Sequence, residues 1–297
     1  MPPRSGALIA VLLTVACAHR SAPHNAKLVV QRSESAARSF VRATVGGHPL
    51  LLLVDTGASQ SILPEGFVRR FKLRTRSNAG DARITDANGR ILTMPTVPGV
   101  AVQFEGENSI ESIDFIMNSA DLSETEGILA PQDLVSSGWA AVIDYQREEL
   151  RYEPEAAALR RLGGLGLSLE EMNYHSCDLD NHRVTTVTIN GVPEQMMLDT
   201  GAERTALGRN SNAIPSMLSL KGKTGVTSGL VSTGANFGVS GVPVEFARTS
   251  FVLSLLILPA SQWCGRGVLG ADALSHCTLV WGAHAMWASC RVPPGNK

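Results

Sequence analysis

The segment LLLLVDTGAS, from Leu50 to Ser59, drives five apolar residues straight into an aspartate followed by a small, flexible triplet. An apolar run of this length bounded by turn residues reads as a buried strand. Ending it on a carboxylate is costly unless the acid is hydrogen-bonded or put to use. One isolated Asp-Thr-Gly reads most simply as a turn, the Asp accepting local N–H bonds and the Gly supplying positive φ. The pattern returns, however, as QMMLDTGAE from Gln195 to Glu203.

Working outward, ATVGGHPLLLLVDTGA (Ala43 to Ala58) aligns without gaps with VTINGVPEQMMLDTGA (Val187 to Ala202), at the offset of 144 that separates Asp55 from Asp199. Each copy has a β-rich segment, a turn at Gly46-Gly47 or Asn190-Gly191, a proline (Pro49, Pro193) and an apolar strand. That turn chemistry predicts a hairpin. Further on, EGILAPQDL (Glu126 to Leu134) corresponds to RGVLGADAL (Arg266 to Leu274). A short helix and another hairpin are expected after each, over AVIDYQREELRY and TLVWGAHAMWAS. A repeat of about 140 residues means two homologous lobes, because solenoid units are about 20–50 residues long.

Composition agrees with this reading. The 297 residues suffice for two lobes with cores. With 28 Gly, 15 Pro and short segments rich in Val, Ile, Leu and Thr, the chain is expected to be all-β. A formal charge of -1 leaves no electrostatic footprint for nucleic acid.

LLVDTGAS with GILA, and MMLDTGAE with GVLG, resemble the aspartic peptidases, and within them the retropepsin-like branch. The resemblance extends over most of residues 27–292. It implies two pseudo-symmetric β-barrel lobes with a cleft between them, and a peptide or protein substrate. Asp55 and Asp199 would be the catalytic pair, one ionised as general base on a water and one protonated to polarise the scissile carbonyl. Thr56 and Thr200 would lock the two loops together, while Gly57 and Gly201 would let the backbone approach the carboxylates. Ala58 and Ala202 stand where many pepsin-like enzymes have a hydroxyl, which implies a working range less acidic than pepsin's. No cofactor or metal is implied. A flap over the cleft is expected at RITDANGRILTM (Arg83 to Met94), with Asp86, Ala87, Asn88 and Gly89 at its tip; its looser counterpart is GKTGVTSGLVSTG (Gly222 to Gly234). An ordinary surface hairpin is the alternative for both. Ala130 departs from the family's second glycine, which implies looser packing there, and ERTAL departs from SQSIL after the catalytic triplet.

The N-terminus is expected to be an export signal. Arg4 precedes the apolar ALIAVLLTVA (Ala7 to Ala16), too short for a membrane-spanning helix of about 20 residues. LLTVAC resembles a bacterial lipobox, with Thr14 as a departure, and implies lipid attachment at Cys17. A cleaved signal without lipid and an uncleaved anchor are the alternatives. All three place the body in the cell envelope or periplasm, touching membrane only through the anchor. The expected division is an export segment (1–17), a tether (18–26), a first lobe (27–155), a linker (156–175), a second lobe (176–292) and a tail (293–297).

Four further cysteines in an exported chain read as disulfides. A two-residue turn at Ala283-His284 places Cys277 opposite Cys290 at a non-hydrogen-bonded position, where side chains are closest. Cys177 is then left for Cys264, although four cysteines allow three pairings.

Two other signals are set aside. GRGVLG (Gly265 to Gly270) fits a dinucleotide fingerprint but lacks its βαβ context. HSCDLDNH (His175 to His182) offers metal-binding side chains at no defensible zinc spacing. The expected function is that of a monomeric aspartic endopeptidase. A non-catalytic module binding peptides or envelope partners, and an enzyme completed by dimerisation, are the alternatives.

Overall fold

The computed structural model describes residues 23–292 apart from 33–36, 77–81, 86–90, 109, 119–125, 177–181, 218–219, 221, 229–232 and 259–264. The expected lipid site Cys17, the flap tip Asp86 to Gly89, the pair Cys177 and Cys264 and the tail 293–297 lie outside the described residues.

Two six-stranded barrels carry the same strand order. The first runs through Ala37–Val45, His48–Val54, Glu126–Leu129, Ile62–Pro64, Glu111–Asn118 and Thr96–Phe104, and closes where Ala43 pairs with Phe104. The second runs through Arg183–Ile189, Val192–Leu198, Gly267–Leu269, Ala206–Gly208, Thr249–Leu258 and Thr233–Phe246, and closes where Thr188 pairs with Glu245. Closure satisfies edge N–H and C=O groups that an open sheet would leave bare. The hairpins predicted from turn chemistry are present: Val45 faces His48 and Ile189 faces Val192. Gly46, Gly47, Asn190 and Gly191 all have positive φ, as a type I′ turn demands.

The strand that opens the repeat explains its own composition. Leu50, Leu52 and Val54 face the main core, while Leu53 packs with Phe40, Ile62, Met94, Ile116 and Ile128 on the other face. Burial on both faces replaces polar–apolar alternation with a continuous apolar run. Each such side chain contributes about 1.5–3 kcal/mol, enough to fix the strand end that carries Asp55.

A third sheet joins the lobes. Its strand order is Glu170–Glu171, Met286–Cys290, Cys277–Gly282, Trp139–Asp144, Glu149–Pro154 and His24–Arg32. At its centre Val142 pairs with Val280, one strand from each half. The period of two sorts its residues: Ala141, Ile143, Leu279 and Trp281 join the main core, whereas Ala140, Val142 and Val280 meet Ala158 and Leu162 of the helix Glu155–Gly164. The segment expected to be a linker therefore begins as a packed helix and ends in a sheet strand. The strand His24–Arg32 likewise starts within the stretch read as a tether. His24 is buried there, its Nε2 2.5 Å from Glu111 Oε1.

Cys277 and Cys290 are cross-strand partners and form a disulfide, with the register the turn predicted. Among the described residues no helix is long and apolar enough to cross a membrane.

Candidate active site

Each Asp-Thr-Gly triplet follows the last residue of a buried strand, and each aspartate N–H donates to the strand beside it. Asp55 N reaches Leu129 O and Asp199 N reaches Leu269 O, both at 3.0 Å. Those neighbouring strands run parallel, with Val54 opposite Leu129 and Leu198 opposite Leu269. The matched Gly-Ile-Leu and Gly-Val-Leu segments are thus the seats of the two acidic loops. A Cβ at Gly127 would lie 2.9 Å from Ile62 O, and one at Gly267 would lie 2.6 Å from Ala206 O.

The loops meet across the pseudo-two-fold axis. Thr56 Oγ1 donates to Leu198 O at 2.8 Å and accepts from Thr200 N at 3.1 Å. Thr200 Oγ1 donates to Val54 O at 2.7 Å and accepts from Thr56 N at 3.1 Å. All four groups belong to fully buried threonines or strand ends, so the lattice is closed. Each carboxylate is held alike: Asp55 Oδ1 accepts from Gly57 N (2.8 Å) and Ala58 N (3.1 Å), Asp199 Oδ1 from Gly201 N and Ala202 N (both 2.9 Å). The carboxylates lie over the opposite loops. A Cβ at Gly57 would fall 2.6 Å from Asp199 Oδ1, and one at Gly201 would fall 2.7 Å from Asp55 Oδ1. Asp55, Thr56, Gly57, Ala58, Asp199, Thr200, Gly201 and Ala202 are therefore brought together in one chain.

Enclosure by protein raises the pKa of Asp55 well above the usual carboxylate value, and the charge of Asp199 with a hydrogen bond to it raises it further. The Gly57 and Ala58 N–H groups oppose this only in part. The pair therefore retains a proton where an isolated aspartate would be ionised. The folded state then binds a proton more tightly than the unfolded chain, so stability falls as pH rises from about 4 through the folded pKa of Asp55. Asp55→Asn removes that cost. Its melting temperature is expected to exceed wild type at pH 7, with the gap closing below about pH 4; thermal unfolding across pH checks this, and an unchanged or lower value at pH 7 contradicts it.

Several residues the sequence reading did not single out support the site. Ser61 and Thr205 stand at the same offset of 144, so SQSIL and ERTAL share a hydroxyl despite their differences. Ser61 Oγ accepts from Ala130 N and Thr205 Oγ1 from Gly270 N, at 3.0 and 3.1 Å. Each loop also gives its N–H to a carboxylate: Ser61 N to Asp133 Oδ2 at 2.7 Å, Thr205 N to Asp272 Oδ1 at 3.0 Å. Burial raises the pKa of Asp272 despite its bonds to Thr205. The two acids do not align with each other, because Asp272 corresponds to Gln132 and Asp133 to Ala273. Ala130, expected to loosen its strand, is fully buried.

Beneath the dyad, the interlobe sheet contributes Tyr145. Its hydroxyl accepts from Ser39 Oγ at 3.2 Å and lies close enough to Thr200 for that side chain to bear on its pKa. Burial pushes its pKa up to about 12, so the phenol stays neutral.

Two hairpins stand where the flaps were expected in the sequence. Ala82–Thr85 pairs with Ile91–Met94, Arg83 facing Thr93, and Ala82, Leu92 and Met94 pack against the cluster that includes Ala58. In the second lobe Gly222–Ser228 pairs with the start of Thr233–Phe246, Val226 facing Ala235. Each hairpin runs on into its barrel through a register irregularity, at Val97/Val100 and at Val239/Val242. The loop that carried the metal-binding alternative lies largely in 177–181, outside the described residues.

Residues 41–129 match the family model described as "gag-polyprotein putative aspartyl protease". The match spans the first barrel through the Gly-Ile-Leu strand, including Asp55. The match gives the first barrel its likeness to retropepsin-like aspartyl proteases, and the nearly all-β, two-barrel architecture is consistent with two such lobes. A comparison with curated proteins gives no match.

Proposed function

We propose that this retropepsin-like chain is an aspartic endopeptidase whose two carboxylates, Asp55 and Asp199, activate one water within a single chain. The observation that carries this reading is the reciprocal packing of each carboxylate onto the glycine of the opposite loop, locked by the Thr56–Thr200 lattice. Two acids held this close share a proton, an effect for which aspartic proteases are themselves the standard example. The ionised member takes a proton from the bridging water, whose oxygen attacks the scissile carbonyl carbon. The protonated member polarises the carbonyl oxygen and gives up its proton to it, forming a gem-diol. Collapse of the gem-diol breaks the C–N bond, and a carboxyl proton passes to the leaving amine. The two hairpins, acting as flaps, would exclude water during these steps.

The alternative of a peptide-binding module with the same fold gains nothing from two paired acids and two matching grips. An N-terminal lipid anchor at Cys17, a place in the cell envelope and action as a monomer belong to the same proposal. They rest on the sequence of the leader and on a site complete in one chain.

Digestion of a mixed peptide library, followed by a pH–rate profile on a cleaved peptide, tests the reading. Cleavage is expected, with a bell-shaped profile centred above about pH 3. Positions 58 and 202 lack a hydroxyl that would stabilise the anion, and the pKa of Asp55 is already raised. A maximum near pH 2–3 would refute the pH argument; no cleavage at any pH would favour the binding module.

A further inference from the structure

The two acidic loops are anchored from behind by different chemistry. In the second lobe the carbonyl of Ala202, three residues after Asp199, accepts from the backbone N–H of Ala271 at 2.8 Å. The position aligned with Ala271 in the first lobe is Pro131, which has no N–H to give. The matching carbonyl, that of Ala58, instead accepts from the side-chain amide of Gln132. The other end of that amide, Gln132 Oε1, is buried without a partner among the described residues. Only the N–H end of the glutamine is thus engaged, as expected of a side chain placed for its donor.

The one-residue displacement of the supporting acids fits the same exchange. The position of Gln132 corresponds to Asp272, which bonds Thr205 N and Oγ1. With Gln132 committed to Ala58, the equivalent bond to Ser61 N comes from the next residue, Asp133.

Resting on the peptidase reading for its catalytic consequence, we infer that Gln132 is a positioning residue, its amide replacing the donor that Pro131 removes and fixing the loop that carries Asp55. Ala58 is the link. Its N–H binds Asp55 Oδ1 at 3.1 Å, while its carbonyl takes the Gln132 bond, so the anchor sets how that N–H meets the carboxylate. Losing the anchor frees the peptide after Ala58 to turn, a rotation passed through the Ala58 Cα to its N–H, and misplacement of a catalytic group by a fraction of an ångström lowers the rate of the chemical step.

The test compares wild type with Gln132→Ala, Pro131→Ala and the double variant Pro131→Ala/Gln132→Ala. Hydrogen–deuterium exchange over residues 55–60 reads the loop whether or not the protein cleaves peptides. Exchange is expected to quicken in Gln132→Ala and to return toward wild type in the double variant, because replacing Pro131 restores the kind of backbone donor that Ala271 already supplies in the second lobe. On a cleaved peptide, kcat should fall about 10-fold in Gln132→Ala with KM little changed, and recover in the double variant. Gln132→Ala indistinguishable from wild type in exchange, or a double variant no better than Gln132→Ala, would overturn the inference. Absence of cleavage by wild type would instead overturn the peptidase reading, with the exchange comparison still deciding the anchor.

Discussion

Replacing Asp55 or Asp199 by asparagine is expected to lower kcat for peptide cleavage by at least about 10³-fold, whichever of the two is changed. In the proposed mechanism each acid has a task the other cannot take over. One is ionised to accept the water's proton while the other is protonated to polarise the carbonyl. Asparagine fills the same space and keeps an oxygen for the N–H pair, Gly57 and Ala58 or Gly201 and Ala202. The fold should therefore survive. Because the two roles are interdependent, the double variant should lose little more than either single one. A single variant retaining more than about a tenth of wild-type kcat would be incompatible with a shared water.

The second large effect needs no loss of a functional group. Gly57→Ala places a methyl 2.6 Å from Asp199 Oδ1, and Gly201→Ala places one 2.7 Å from Asp55 Oδ1. Ordinary van der Waals contact begins at about 3.4 Å, so the loops must separate by several tenths of an ångström. The threonine lattice resists that movement, because its four bonds of 2.7–3.1 Å span the same gap. We expect kcat to fall about 100-fold in either variant. Gly163→Ala provides the control: it lies in the helix Glu155–Gly164, with nothing within 4 Å of its added Cβ. That change is expected to leave activity intact and to stabilise by about 0.5–1 kcal/mol. Near-wild-type kcat for Gly57→Ala would mean that the carboxylates do not pack on the opposing glycines.

Much of this was legible in the sequence where short-range chemistry decides. Turn residues at Gly46-Gly47 and Asn190-Gly191 set the hairpins, and a two-residue turn set the register that joins Cys277 to Cys290. The repeated Asp-Thr-Gly marked the dyad because two copies at one offset have no independent reason to coincide. What escaped depends on chain segments that meet only in three dimensions. Tyr145 reaches Thr200 from a sheet built by both halves, and no local pattern marks it. Arg183, at the start of a barrel strand, lies between Tyr174 and Trp281, with its guanidinium carbon 4.7 and 4.6 Å from their ring centres. Burial lowers its pKa to about 10. The supporting acids were hidden by their displacement, since Asp133 and Asp272 serve matching loops from positions that do not align. The strand His24–Arg32 was hidden by its polar ends, although Ala26 and Leu28 are buried within it.

The central claim is that one chain supplies both carboxylates to one water. It is tested most directly by digesting the mixed peptide library with wild type, with Asp55→Asn, with Asp199→Asn and with an equal mixture of the two variants. Cleavage by wild type alone is the expected result, the mixture remaining as inactive as its components because every site within it lacks one acid. Activity restored on mixing would contradict the account, since the paired acids would then come from two chains.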